Sequence, residues 1–354
     1  MKKILLITFS DNADHQDTTF GLFEQFNDED EVYLMCIKDT KVFLERSNKV
    51  WYVDCPKRPG ITKKTFNLFY LYQIIKKIRK ENFDVVFFES LHIWNIPIMM
   101  FSKKRTKNIH VIHEVIPHEG DSQEKMVHLM NKVICKFADI IVLCNRTYIQ
   151  TMIDRYGISS KKVRFLELWR RYPGYTSPSF SKKVLFFGRM NPYKGIDNLL
   201  EIVKMCPKIQ FDVVGKVDPQ ISGIVDALKK EKNVNIQTGY VTDEEMKKYF
   251  INDDWIIVPY NTASQSGVII DAYKYSRPVI AYDVGAISEQ VENNKSGYLI
   301  KEKDNETFSA QLNKCINMDK EEYYALTKSS YNFGLRKYST KFVKDRFMDL
   351  INNV

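Results

Sequence analysis

The chain is 354 residues long, 44% hydrophobic and 27% charged, a globular composition that excludes a disordered or fibrous protein and predicts two domains at roughly 150 residues each. Its six cysteines, at 36, 55, 135, 144, 206 and 315, are too few for a disulfide scaffold and include no Cys-x-x-Cys pair, so reduced thiols and no bound metal are expected. The formal charge of +9 lies mostly in residues 1–177, which hold 28 Lys and Arg against 21 Asp and Glu, whereas residues 178–354 hold 25 against 23. That excess suits an anionic partner such as acidic lipid, a lipid phosphate or nucleic acid; a lysine-rich soluble surface would look the same.

Met1-Lys2-Lys3 precedes only four apolar residues, Ile4 to Ile7, a strand length and not a secretion core. The apolar run Ile93 to Phe101 is broken by Asn95 and Pro97 and falls short of a membrane span. A cytoplasmic chain, not integral to a membrane, is expected. Short apolar runs at Lys3–Phe9, Val32–Ile37, Asp84–Phe88, Ile109–His113 and Asp139–Cys144 are of the kind buried in parallel sheets. Between them Phe66–Lys80 has helical spacing, and its aromatic start, Phe66–Tyr72, is read as core, the alternative being a membrane anchor. The cluster Lys103–Lys107 is either a lipid contact or the polar end of a helix.

A stretch of turn formers, Tyr172-Pro173-Gly174-Tyr175-Thr176-Ser177-Pro178-Ser179, interrupts the pattern and predicts a linker over 172–180. A second set of strands follows at Val184–Phe187, Phe211–Val214, Val234–Gln237, Trp255–Pro259, Pro278–Tyr282 and Tyr298–Ile300, again with helices between them. The expected architecture is α/β: two doubly wound, Rossmann-like domains, 1–171 and 181–339, facing a cleft. The closing stretch Thr340–Ile351 is amphipathic.

Two segments carry chemistry. In Gly188-Arg189-Met190-Asn191-Pro192-Tyr193-Lys194-Gly195 a buried strand ends, a loop presents two cations, and a helix begins. Ligands of open α/β sheets bind beyond the carboxyl ends of strands, so Arg189 and Lys194 form a candidate diphosphate clamp, the alternative being surface cations around a turn. In Ser264-Gln265-Ser266-Gly267-Val268 small residues open another helix and would expose backbone N–H groups to an anion, with Asp271 one turn in, placed for ribose hydroxyls. A capped buried helix with a stray acid is the plainer reading.

Together these segments make residues 184–312 resemble the donor domain of GT-B glycosyltransferases of family 4, the glycogen-synthase-like retaining group. The resemblance rests on Gly-Arg-x-x-x-x-Lys-Gly (188–195), Asp212-Val213-Val214-Gly215, Gly239-Tyr240-Val241 followed by Asp243-Glu244-Glu245, Pro259-Tyr260, Gln265-Ser266-Gly267-Val268, Arg277-Pro278-Val279-Ile280, Asp283-Val284-Gly285-Ala286 and Gly297-Tyr298-Leu299-Ile300. It implies a nucleotide-sugar site in which Arg189 and Lys194 stabilise the leaving diphosphate. Gly215 belongs to the same site, Tyr240 and Val241 meet the base, Ser264 to Val268 meet sugar and phosphate, and Asp271 grips the ribose. The family often has two glutamates eight positions apart here. This chain has Asp271 at the second and Ala263 at the first, which leaves the sugar-facing acid unassigned. The resemblance also implies that helix 340–354 crosses back onto the first domain.

In the first half, Ile112-His113-Glu114-Val115-Ile116-Pro117-His118-Glu119-Gly120 resembles the His-Asp-x-x-Pro-His-x-Gly loop of some bacterial members. His113 is therefore the candidate catalytic residue, to contact the transferred sugar or help move a proton, with Glu114 and His118 behind it on the acceptor side. The loop after the first strand lacks the family's glycines. Asn12 and His15 are its acceptor-side candidates, or simply part of a solvated loop.

The resemblance implies a retaining transferase working without a cofactor. It would use a UDP- or GDP-sugar and a glycan or lipid-linked saccharide acceptor, in bacterial surface polysaccharide synthesis at the inner membrane face. No basic run interleaved with aromatics supports nucleic-acid binding. The competing reading is an idle GT-B fold serving as an assembly partner, favoured by Ala263 and the glycine-poor first loop and opposed by the paired cations. A nucleotide-sugar epimerase shares the fold but not these motifs.

Overall fold

The computed structural model describes residues 2–40, 48–57, 62–116 and 124–354. They form two compact units, one of residues 1–171 with 340–354 and one of 172–339. His118, with Pro117, Glu119 and Gly120, lies outside the described residues.

The first unit holds strands β1 (Ile4–Thr8), β2 (Val32–Ile37), β3 (Val50–Val53), β4 (Val85–Phe88), β5 (Lys107–Ile112), β6 (Ile140–Leu143) and β7 (Val163–Phe165). They pair in parallel in the order β3-β2-β1-β4-β5-β6-β7. Helices α1 (Ala13–Phe23), α2 (Leu68–Glu81), α3 (Asn95–Met100), α4 (Glu124–Phe137) and α5 (Ile149–Tyr156) connect them. Both faces of the sheet are covered, which is why its strands read as unbroken apolar runs. One core includes Leu5, Ile7, Phe88, Ile141 and the inner residues of α2, Leu71, Ile74, Ile75 and Ile78. On the opposite face Ile4, Leu6, Phe87 and Ile109 meet the C-terminal helix, Thr340–Asn352, through Val343, Phe347, Leu350 and Ile351. Phe347 stacks edge-on against Phe87 at 5.1 Å and Phe26 at 6.3 Å.

The second unit begins at 172. Strands β8 (Lys183–Phe187), β9 (Gln210–Gly215), β10 (Val234–Thr238), β11 (Trp255–Val258), β12 (Val279–Tyr282) and β13 (Gly297–Ile300) pair in parallel as β10-β9-β8-β11-β12-β13. Its helices are α6 (Ile196–Met205), α7 (Ser222–Leu228), α8 (Asp243–Asn252), α9 (Gly267–Lys274), α10 (Asn305–Ile316) and α11 (Lys320–Tyr338). Each sheet reverses its order once, between β1 and β4 and between β8 and β11, and such switch points open a crevice at the carboxyl ends of the strands.

One expectation needs correcting: of the aromatic start of α2 only Tyr70 and Leu71 pack on the core, while Phe66, Leu68, Phe69 and Tyr72 are 61–73% exposed, because the helix buries the opposite stripe. The stretch 172–180 forms no helix or strand and rests on the second unit. Tyr331 donates its hydroxyl proton to Pro173 O (2.6 Å), and Tyr175 and Phe180 pack on Tyr331 and Tyr323, all within the second unit. Asn12 is exposed at the end of the loop after β1, where its side-chain oxygen accepts from Asp14 N (2.8 Å) and caps α1, the helix that carries His15.

Candidate active site

In the second unit three loops converge at the β8/β11 switch point. Gly188, at the end of β8, has φ of +114°, and a Cβ there would lie 2.6 Å from Lys194 Nζ and 3.7 Å from Val268 Cγ2. Glycine is therefore required both by the backbone and by the approach of the lysine. Gly195, at φ of +66°, lets the α6 start close to 1.9 Å (Cβ position) from Pro259 O, so the loops after β8 and β11 touch. Asn198 Nδ2 donates to Pro259 O (2.9 Å), and Asn261 N donates to Tyr193 O (2.8 Å), locking the two loops together.

Lys194 is 9% exposed and donates to Tyr260 Oη at 3.0 Å, its ammonium 4.9 Å above the same ring. Burial opposes its charge, but the Tyr260 and Tyr193 phenols outweigh that, and its pKa lies above the ordinary lysine value. The buried residue is thus a fixed cation. Arg189, on the same loop, is exposed.

The β11 loop continues into α9. Ser264, Ser266 and Asp271 are buried, and Gln265, Gly267 and Val268 half-buried. Gln290 clamps the turn, accepting from Ser266 N (2.6 Å) and donating to Ser266 O (3.0 Å). The Ser266 hydroxyl is buried with no hydrogen-bond partner among the described residues, an orphan polar group at a helix N-terminus. Gly215 serves packing: a Cβ there would meet Gly188 O at 1.9 Å. Tyr240, 78% exposed, and half-buried Val241 stand on the loop after β10. The acids that follow are a helix start, with Thr242 and Glu245 forming a capping box on α8.

The first unit builds a different cluster at its own switch point. Glu89 directly follows β4 and is 1% exposed. His15 Nδ1 donates to its carboxylate at 2.8 Å, and His113 Nε2, one residue past β5, donates to the same carboxylate at 3.0 Å and to Glu89 O at 2.9 Å. The two rings meet edge to face at 5.1 Å. Burial alone would raise the Glu89 pKa, but His15 and His113 overcome it and hold the carboxyl well below the usual range. For His113, burial works against the cation; Cys144, with Sγ 3.9 Å from Nδ1, and Glu89 outweigh it and raise the pKa to about 10. His113 is accordingly an imidazolium at neutral pH: a proton donor in hydrogen bonds, not a base.

His110, three positions earlier and on the opposite face, is buried, stacked on Phe88 and pushed down to about 4 by burial, so it is neutral. The three ligand atoms of His15, Glu89 and His113 lie within 4.8 Å of one another, a set able to take a divalent ion, although the direct ion pairs satisfy the carboxylate already. Glu114 and His113 line a small recess with Leu91, Val127 and Asn131. The structure thus joins His15 to His113, leaves Asn12 as a cap, and adds Glu89, which the sequence reading missed. Its signal was an acid immediately after the apolar run Val85–Phe88.

Two parallel sheets, each wound both ways, with a buried lysine and an exposed arginine on the loop at the second switch point, have the architecture of the GT-B transferases. Residues 174–333 match the model of glycosyl transferases group 1, and residues 22–167 that of glycosyltransferase family 4. The chain belongs to the family-4-like GT-B glycosyltransferases.

An uncharacterized 41.2 kDa protein in the cps region of Klebsiella pneumoniae is 25% identical over 248 residues, 64% of this chain and 68% of that protein. The poly(ribitol-phosphate) alpha-N-acetylglucosaminyltransferase of Staphylococcus aureus is 27% identical over 180 residues, 49% of this chain. The chain spans only 36% of that enzyme's length. Among solved structures, Anabaena Alr3699/HepE in complex with UDP superposes with a TM-score of 0.73 at 15% identity, covering 99% of this chain and all of that one.

Proposed function

We propose that this protein is a retaining glycosyltransferase that moves a sugar from a UDP- or GDP-sugar to a glycan or lipid-linked saccharide acceptor, in the building of bacterial surface polysaccharide at the inner face of a membrane. The observation that carries it is the buried Lys194 ammonium, held by Tyr260 on the loop that also bears Arg189, in the same site as the partnerless Ser266 hydroxyl at the start of α9. Arg189, Lys194 and the α9 amides take the diphosphate and the charge that builds on it as the glycosidic bond breaks. Tyr240 and Val241 receive the base, Asp271 the ribose, and Ser264 to Val268 the sugar and phosphates. Because these cations can carry the leaving-group charge, transfer is proposed to run without a metal, and activity is expected to survive chelation by EDTA. His113, held as an imidazolium, donates a hydrogen bond to a sugar or acceptor oxygen, with His15 and Glu114 beside it. The complexes of Anabaena HepE with UDP and UDP-glucose support a uridine donor, and the GDP-mannose:glycolipid 4-beta-D-mannosyltransferase of Xanthomonas campestris, 27% identical over 116 residues, supports guanosine and a lipid-borne acceptor.

Calorimetric titration of UDP and GDP into the wild type and Arg189→Ala tests the donor site. Losing one charge-assisted contact should weaken binding by about 1.5–3 kcal/mol, at least roughly tenfold. Failure of both nucleotides to bind would favour the idle-fold reading, for which Ala263 speaks. Retention is checked by the anomeric configuration of the product in NMR.

A further inference from the structure

Helix α2 carries an unusual outer face. Its inner stripe, Leu71, Ile74, Ile75 and Ile78, is fixed in the core of the first unit. On the other side Leu68, Phe69 and Tyr72 stand 68%, 73% and 61% exposed, and Phe66, on the 3-10 turn Lys63–Phe66 just before the helix, is 71% exposed. Four large apolar side chains in seven positions form a patch that folding does not need and water does not favour. Residues 63–80 also contain Lys63, Lys64, Lys76, Lys77, Arg79 and Lys80 and no acid. Phe69, Gln73, Lys76 and Lys80 follow helical spacing along one stripe, apolar at its start and basic at its end. Lys63, Lys76 and Lys80 have no ion-pair partner among the described residues. At the basic end Arg79 Nη1 donates to Phe101 O (2.8 Å), which brings up exposed Met100 and Phe101 at the close of α3, followed by Lys103 and Lys104.

We infer that this face, the 3-10 turn 63–66 with α2 and the end of α3, docks the protein on an anionic phospholipid bilayer. Phenylalanine, leucine and tyrosine side chains suit the boundary between headgroups and acyl chains, and lysines suit lipid phosphates. Lys64 is paired with Asp54 (2.5 Å) and Lys77 lies over the Trp51 ring, but a protein partner of equal apolarity would still have to match Lys63, Lys76 and Lys80 with acids across the same small area, whereas an anionic bilayer presents that charge everywhere. Among the described residues no helix is long and apolar enough to cross a membrane, so attachment here is to the surface. The inference deepens the reading of a lipid-linked acceptor, but it stands on this face and not on turnover.

The test is co-sedimentation of the full chain with extruded vesicles of phosphatidylcholine alone and of phosphatidylcholine mixed with phosphatidylglycerol. Binding is expected to the mixed vesicles and not to the neutral ones. Each lysine at such a surface is worth about fivefold in partition, so Lys76→Gln with Lys80→Gln should weaken binding about 25-fold. Phe66→Ser with Phe69→Ser should abolish the fraction of binding that survives raised salt, since salt screens charge but not apolar insertion. All four side chains are exposed, so thermal melting should be unchanged, and UDP titration of the same variants should match the wild type, which separates failure here from failure of the donor site. Equal binding to both vesicle types, no binding to either, or variants that bind like the wild type would each overturn the inference, the last pointing to a protein partner for this face.

Discussion

Replacing Glu89 by glutamine keeps the side-chain volume and removes one buried charge. The carboxylate receives both His15 and His113 at 2.8 and 3.0 Å with 1% of its surface exposed, so neither water nor another acid replaces it. Breaking a buried pair from one side costs about 3–5 kcal/mol. Proton linkage has the same sign, since Glu89 is one of the two groups, with Cys144, that hold the His113 pKa up at about 10. Cys144, with its sulfur 3.9 Å from Nδ1, stays in the variant as the other support of the imidazolium, so the loss falls toward the lower end of that range.

Both partners set the pH dependence. His113 has a raised folded pKa, so its stabilisation is complete below about pH 6.5 and lost as pH climbs through about 10; Glu89 has a depressed one, so its share fades as pH falls below about 4.5. The stability gap between wild type and Glu89→Gln, read from urea midpoints, should therefore be widest between about pH 5 and 7 and narrow on both sides. Imidazole NMR should show His113 titrating lower in the variant than in the wild type, burial then being opposed by Cys144 alone. A gap independent of pH, or a His113 titration unchanged in the variant, would refute the clamp.

Three other substitutions have outcomes set by the geometry. Gly188→Ala places a Cβ 2.6 Å from Lys194 Nζ at a φ of +114°, and should cost about 1–3 kcal/mol in stability while weakening UDP binding at least roughly tenfold in calorimetry. Phe347→Ala empties the contact between the C-terminal helix and β4 and should lower stability by about 3–5 kcal/mol in chemical denaturation, with a smaller loss for Phe347→Leu. Asp253 is raised to about 8 by burial first and the Asp212 carboxylate second, so the folded chain keeps a proton that the unfolded chain releases near pH 4. Stability must fall as pH rises from about 4 through 8, and Asp253→Asn should melt higher than wild type above pH 8 and converge with it toward pH 4.

The alternation of strands and helices was legible because parallel strands covered on both faces leave unbroken apolar runs. What escaped were elements whose burial is carried by polar residues. Helix α1 opens Ala13-Asp14-His15-Gln16-Asp17, yet Gln16, Thr18 and Thr19 are buried because each side chain bonds a neighbouring chain segment or its own helix. Helix α11 packs through Tyr323, Thr327, Ser330 and Tyr331, with the Tyr323 hydroxyl donating to Asp254 O at 2.9 Å. Conversely the aromatics of Phe66–Tyr72 were read as core, since hydrophobicity alone does not tell a buried stripe from an exposed one on the same helix.

At the site the same distinction decides what could be read. Arg189 and Lys194 both follow the end of β8, between Gly188 and Gly195, so the sequence itself places two cations beyond the carboxyl end of a strand. Glu89 is a different case. Glu89 directly follows the four apolar residues of β4 and is buried at the carboxyl end of the sheet's central strand, and a buried carboxylate must be partnered. Its partners come from 74 and 24 positions away, and only the strand order β1-β4-β5 brings them together. Ala263 makes the complementary point. It is 1% exposed with its carbonyl accepting from Ala286 N (3.1 Å), so a glutamate there would need its own buried partner. The α9 start is ordered instead by Gln290, which pairs with both backbone groups of Ser266. A neutral clamp of this kind fixes the turn without adding a second acid to Asp271, one turn into α9, which keeps that helix N-terminus favourable to an anion.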